Sequence, residues 1–160
     1  MRISRAIAPE RILYTMLRVS NLDVSIAFYR DMLGMSELGR ETFPDAKFTV
    51  VFMGYGDLAK DAVLELTYNW ENQGYEQGTA YGNITLAVDD VYALEAFLKQ
   101  HDVTILRPAG ELQIVSSETG KKYTLAHITD PDGYRIELMQ NEKQTVIGRT
   151  VAAGREELIS

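Results

Sequence analysis

Two hydrophobic rhythms alternate along the chain, and the alternation happens twice. Arg11–Val19 has a period of two. Leu13, Thr15, Leu17 and Val19 fall on one face and Ile12, Tyr14, Met16 and Arg18 on the other, which predicts a strand. Asn21 or Asp23 then offers a helix N-cap, and Ile26, Phe28, Tyr29, Met32 and Leu33 form a helical stripe that Gly34 ends. A short strand over Met35–Arg40, a turn at Pro44-Asp45 and a β-branched, aromatic strand over Phe48–Met53 follow. The loop from Gly54-Tyr-Gly56 to Asp61 leads into a strand over Val63–Asn69. Tyr68–Thr79 is polar and reads as a connection, after which the order restarts. Asn83–Val88 is a strand, Asp89 or Asp90 an N-cap, Val91–Gln100 a helix and Val103–Leu106 a strand stopped by Pro108. Tyr123–Thr129 and Tyr134–Gln140 are strands joined by the turn Asp130-Pro-Asp-Gly133.

The halves align. Tyr14, Leu17, Val19, Ala27 and Phe28 correspond to Asn83, Leu86, Val88, Ala96 and Phe97 at one common spacing. Glu65 and Glu137 correspond at a spacing three residues longer. This is a duplicated βαβββ unit. The predicted class is α+β, two tandem βαβββ modules forming curved mixed sheets. The expected boundaries are an extension over 1–10, modules over 11–70 and 81–141, a linker over 71–80 and a tail over 142–160, part-helical from Ala152 to Leu158.

Period two also sorts the faces. Leu13, Leu17 and Val19, and Ile84, Leu86 and Val88, should meet the helices. Tyr14, Arg18, Asn83 and Thr85 then point the other way. In the last strands Leu64 and Leu66, or Ile136 and Leu138, take the helix side, which puts Glu65 and Glu137 on the open face with Met16 and Met139. Glutamates on open strand faces read equally as solvated exteriors or as a site. Counting symmetrically from the Asp130–Gly133 turn sets Ala126 against Glu137 and His127 against Ile136, so His127 is expected on the helix side as a core histidine. His101, at a helix end, is expected on the surface. Lys121-Lys122 reads as a solvated turn, and Tyr68 and Trp70 as packing residues beside Asn69.

Composition narrows the chemistry. With 160 residues and an apolar fraction of 46%, the chain has the makeup of an ordinary soluble globular protein. A net charge of −7 with no basic patch argues against nucleic acid. Zero cysteines exclude disulfides and thiolate chemistry and suit the cytoplasm. No apolar run approaches the ~20 residues of a membrane span, and Met1–Pro9 lacks the apolar region of a secretory signal.

Several stretches together resemble glyoxalase I (lactoylglutathione lyase) of the vicinal-oxygen-chelate superfamily. They are Tyr14-Thr-Met-Leu-Arg-Val19, Ser25-Ile-Ala-Phe-Tyr29, Met32-Leu-Gly-Met35, Gly54-Tyr-Gly56, Glu65-Leu-Thr-Tyr-Asn-Trp70, Gly78-Thr-Ala-Tyr-Gly82 and Asp130-Pro-Asp-Gly-Tyr-Arg-Ile-Glu-Leu138. The match runs from about Arg11 to Gln140. The resemblance implies a homodimer with sites between subunits. It also implies a divalent metal held by one residue from each first and last strand, usually two histidines and two glutamates. It implies isomerisation of the hemithioacetal of methylglyoxal and glutathione. The matching ligand positions are Tyr14, Glu65, Asn83 and Glu137, so both glutamates stand and both histidines are replaced. Arg18 and Asn69 match positions that bind the glutamyl end of glutathione.

Two carboxylates, a phenol and an amide are a poor set for zinc or nickel and suit a harder ion such as magnesium, manganese or calcium, so the expected cofactor is a divalent metal ion (nickel, zinc, cobalt or manganese) or none, with glutathione as co-substrate. The alternative is a metal-free cluster with Tyr14 and Asn83 donating to the glutamates. The expectation is therefore a glyoxalase I-like lyase or isomerase. Glu137 is the base, Glu65 its partner, and Arg18, Asn69 and Tyr14 bind substrate. The alternatives are a small-molecule binder at a dimer cleft without the usual metal, or a metal-independent enzyme with Tyr14 as a general acid.

Overall fold

The computed structural model describes residues 7–72 and 74–141. The predicted tail helix lies outside the described residues. The first half gives strand β1 (Tyr14–Arg18), helix α1 (Leu22–Ala27) and strands β2 (Ser36–Phe43), β3 (Phe48–Gly54) and β4 (Val63–Asn69). The second gives β5 (Ile84–Val88), α2 (Val91–Gln100), β6 (Ile105–Glu111), β7 (Thr124–Thr129) and β8 (Arg135–Gln140). Each half makes one four-stranded sheet, in the orders β1-β4-β3-β2 and β5-β8-β7-β6. The first and last strands of each half are parallel neighbours and the other pairs antiparallel, so the duplication read in the sequence is a duplication of topology.

Both helices begin where the caps predict. The Asn21 side chain accepts from the Val24 N–H at 3.1 Å and that of Asp90 from the Ala93 N–H at 2.9 Å, each satisfying a donor that the first turn leaves open. After Ala27 the first helix widens into a π-helical segment, Phe28–Met32, which an ordinary 3.6-residue stripe does not anticipate. The wider turn lets the consecutive residues Phe28 and Tyr29 both face the core, edge to face at 5.3 Å. Gly34, at φ 71°, ends the segment because this backbone conformation disfavours a side chain.

The helix-side faces of both sheets form one core: Leu17, Val19, Leu64 and Leu66 from the first, Ala126, Ile128, Ile136 and Leu138 from the second, with Tyr29, Val91 and Leu98 from the helical segments. Leu13, expected on that face, is exposed because it precedes the first ladder pair of β1. β2 runs past its predicted end to Phe43, where Phe43 stacks on Phe48 at 4.5 Å. Pro108 does not end the strand before it. It sits within β6 where the register slips between Arg107 and Gly110, so its missing N–H interrupts no ladder bond.

The Asp130–Gly133 turn joins the two halves. The Tyr29 hydroxyl donates to Asp130 Oδ2 at 2.8 Å, the Tyr134 hydroxyl to the Arg18 carbonyl at 3.0 Å, and the Ser20 N–H to Asp132 Oδ1 at 2.9 Å. The Asp130 Oδ1 atom accepts from the N–H groups of Asp132 and Tyr134 at 3.0 and 2.8 Å. Burial pushes the Asp130 carboxyl above the usual carboxylate range. Burial first, and then the charge of Asp130, push the Tyr29 hydroxyl far above the usual phenol range.

Candidate active site on two open sheet faces

Register decides which side chains share a face. On the first sheet Met16 lies opposite Glu65, Arg18 opposite Thr67 and Phe52 opposite Glu65. Tyr14, Arg18, Glu65 and Asn69 therefore share the face turned away from the helices, as the alternation predicts. Tyr14 and Met16 are 45% and 44% exposed although apolar in body, so this face is uncovered in the single chain. The Thr67 hydroxyl donates to Glu65 Oε1 at 2.9 Å. Tyr14 packs its ring on Phe52 at 5.5 Å. Asn69 donates to the Tyr75 hydroxyl at 2.8 Å, which ties the end of β4 to the connection that follows. Tyr68 and Trp70 point to the other side, where Trp70 Nε1 donates to the Thr49 hydroxyl at 3.1 Å.

The second sheet repeats the arrangement with one change. Thr85 lies opposite Glu137 and donates to its Oε1 at 2.9 Å, as Thr67 does to Glu65. Asn83 Nδ2 donates to the Thr85 hydroxyl oxygen at 2.9 Å. His127 lies directly opposite Glu137, with Nε2 3.0 Å from Oε2. The expectation of a core histidine is overturned. The parity count assumed a two-residue loop, whereas Asp130 and Tyr134 close a three-residue loop with Gly133 at φ 84°. A three-residue hairpin carries its glycine in that left-handed position, and one extra loop residue moves every side chain of β7 to the other face. His101 behaves as expected, capping α2 with Nδ1 2.8 Å from the Phe97 carbonyl.

The glutamates thus lie on separate sheets, each with a threonine of its own. The donors to them are Thr67, Thr85 and His127 rather than Tyr14 and Asn83. Among the described residues no group of three or more His, Asp or Glu side chains is placed to hold a metal. Lys121 and Tyr123 come to a cavity of about 370 Å³ that Thr85, Ala87 and Met139 also line, on the Glu137 side of the sheet. A groove of about 350 Å³ beside Phe28, Met32 and Val103 lies on the helical side, away from both glutamates.

Paired four-stranded βαβββ sheets with a carboxylate at the same place on each open face define a vicinal-oxygen-chelate fold of the glyoxalase type. Residues 11–138 match the Glyoxalase/Bleomycin resistance protein/Dioxygenase superfamily, and the chain belongs to that family, on its glyoxalase I branch. A probable lactoylglutathione lyase of Vibrio cholerae is 45% identical over 133 residues, 83% of this chain and 92% of that protein. A lactoylglutathione lyase of Neisseria meningitidis is 42% identical over 132 residues, 82% of this chain and 91% of that protein. Among solved structures, the trypanothione-dependent glyoxalase I of Leishmania major is 42% identical with a TM-score of 0.69, over 82% of this chain and 87% of that one. Glyoxalase I of Zea mays is 36% identical with a TM-score of 0.75, over 82% of this chain and 44% of that one.

The donors at the four strand positions do not fit the nickel or zinc that the fold family implies. Two of the four are a phenol and an amide, neutral oxygen donors where those ions favour imidazole.

Proposed function

We propose that the chain is a glyoxalase I-like lyase that isomerises the hemithioacetal of a small 2-oxoaldehyde, methylglyoxal in type, and glutathione. The observation that supports it is the repeated glutamate: each open face carries one, held by a neighbouring threonine, on the last strand of its half, which lies between the first and third. Glu137 takes the proton from the carbon that bears sulfur and hydroxyl, and returns it to the adjacent carbon as that carbonyl becomes a hydroxyl. A thioester forms with no net gain or loss of atoms. The Tyr14 hydroxyl donates to the oxygen that develops charge. Arg18 and Asn69 hold the glutamyl carboxylate of the substrate. Because the first-sheet and second-sheet residues are held apart on separate sheets, a homodimer with each site between subunits completes the set. The cytoplasm, which supplies glutathione, is the compartment.

The test is formation of the thioester from methylglyoxal and glutathione by purified protein stripped with EDTA, then with nickel, zinc, cobalt or manganese restored. Absence of turnover under all of these conditions would sink the reading. A second reading is favoured by Tyr14 and Asn83 standing where the family carries histidines: a protein that binds a glutathione conjugate at the cleft without converting it. That protein would bind S-substituted glutathione in a calorimeter and show no turnover.

The strand positions have a test of their own. The double variant Tyr14→His with Asn83→His is expected to gain nickel or zinc binding by calorimetry, because imidazole then joins both glutamates. If no metal binds to the folded variant, the four positions do not converge.

A further inference from the structure

We propose that His127 is a positioning residue for Glu137, aiming the carboxylate by hydrogen bonds from its own sheet in place of metal coordination. The inference rests on Glu137 being the base. The two sheets supply a built-in comparison. The third strand of each sheet sets one residue directly opposite the glutamate: Phe52 opposite Glu65, and His127 opposite Glu137. Each carboxylate also accepts from a threonine hydroxyl at Oε1 at 2.9 Å, from Thr67 two places along its own strand in the first sheet and from Thr85 directly across in the second. The second glutamate therefore has a donor on each oxygen, and the first is supplied by its sheet on one.

The direction of the hydrogen bonds is set by chemistry. Asn83 Nδ2 has hydrogens only to give, so the Thr85 oxygen accepts from it and the Thr85 hydrogen is left for Glu137. His127 completes the chain from the other side when its Nε2 carries the proton. The terminal torsion of a glutamate is otherwise broad. Fixing both oxygens selects one rotation of the carboxylate plane and so one line of approach to the substrate carbon. The side chains of His127 and Glu137 are 23% and 16% exposed, so bulk water has limited access to compete for either atom. The Asn83 position, where the family carries a metal-binding histidine, contributes here through Thr85.

The experiment compares His127→Phe, which keeps a ring and removes the donor, with His127→Gln, which restores an N–H at similar reach. Full-length, EDTA-treated protein is assayed on the hemithioacetal. We expect kcat to fall by roughly 10²-fold in His127→Phe with KM nearly unchanged, as for a misplaced catalytic group, and most of the loss to be regained in His127→Gln. Wild-type kcat in His127→Phe would overturn the proposal, as would an equal loss in the two variants. Turnover that appears only with metal restored would overturn the proposal; if the wild-type protein turns over neither stripped nor with metal restored, the reading of Glu137 as base fails, and the positioning itself is decided by ¹⁵N NMR of histidine-labelled protein. A His127 Nε2–H signal that moves in Glu137→Gln supports it; one indifferent to that change overturns it.

Discussion

Glutamine at position 137 is expected to lower kcat on the hemithioacetal by about 10²–10⁴-fold while leaving KM nearly unchanged. An amide has nearly the size of the carboxylate and still accepts from Thr85, so the fold around β8 should be preserved. What disappears is an oxygen able to take a proton from carbon. Steady-state rates on EDTA-treated protein read the effect. A fall of less than about threefold would move the role of base to Glu65, which holds the same address on the first sheet. The comparison is informative because the two glutamates differ in support: Glu137 lies between Thr85 and His127, whereas Glu65 has Thr67 and faces a phenyl ring.

The second large effect is on stability. Asp130→Ala is expected to destabilise the protein by about 3–5 kcal/mol. It removes the acceptor for the Tyr29 hydroxyl and for the N–H groups of Tyr134 and Asp132, and each buried donor left unpaired costs ~1–3 kcal/mol. Urea denaturation measures it, as a lower midpoint at unchanged slope. A loss below about 1 kcal/mol would show that the turn can rearrange around the missing acceptor. The same pair predicts an alkaline limit. The folded Tyr29 hydroxyl holds its proton far above the ordinary phenol value of 10.0, so its contribution is complete below that pH. Above it the unfolded chain loses a proton that the folded chain keeps, and stability falls as pH rises. Tyr29→Phe should show a shallower alkaline decline than the wild type, the remainder coming from Tyr55, Tyr81 and Tyr134, which burial also pushes up.

Much of the architecture was legible in the alternation of residues. Period two found the first and last strand of each half and put Glu65 and Glu137 on open faces, because the opposite faces, Leu64 with Leu66 and Ile136 with Leu138, are unbroken apolar pairs that must be buried. Asn21 and Asp90 marked the helix starts because a side-chain acceptor is needed there. Distance along β7 was not legible. Whether His127 faces core or cleft depends on a single residue in the loop, and Asp-Pro-Asp-Gly fits both a two-residue and a three-residue hairpin until the Gly133 backbone is seen. The threonine partners were missed for a different reason. Thr67 and Thr85 are ordinary strand residues, and only register shows that one lies two places along from a glutamate and the other directly across from one. The π-helical segment was hidden because its inward residues, Phe28 and Tyr29, fit an α-helical stripe almost as well.

The position opposite each glutamate on the third strand has a further consequence. It touches the open face and not the core, so it can change chemical character without disturbing the packing of Ala126 or Ile128 beside it. Phenylalanine in one half and histidine in the other show that the fold accepts both. The position is thus an interchangeable socket between the two halves. One codon change on a strand outside the family's ligand positions can hand the site an imidazole, a ring or an amide while the core beneath stays the same. The two halves of a duplicated chain can then diverge in chemistry while keeping a common frame.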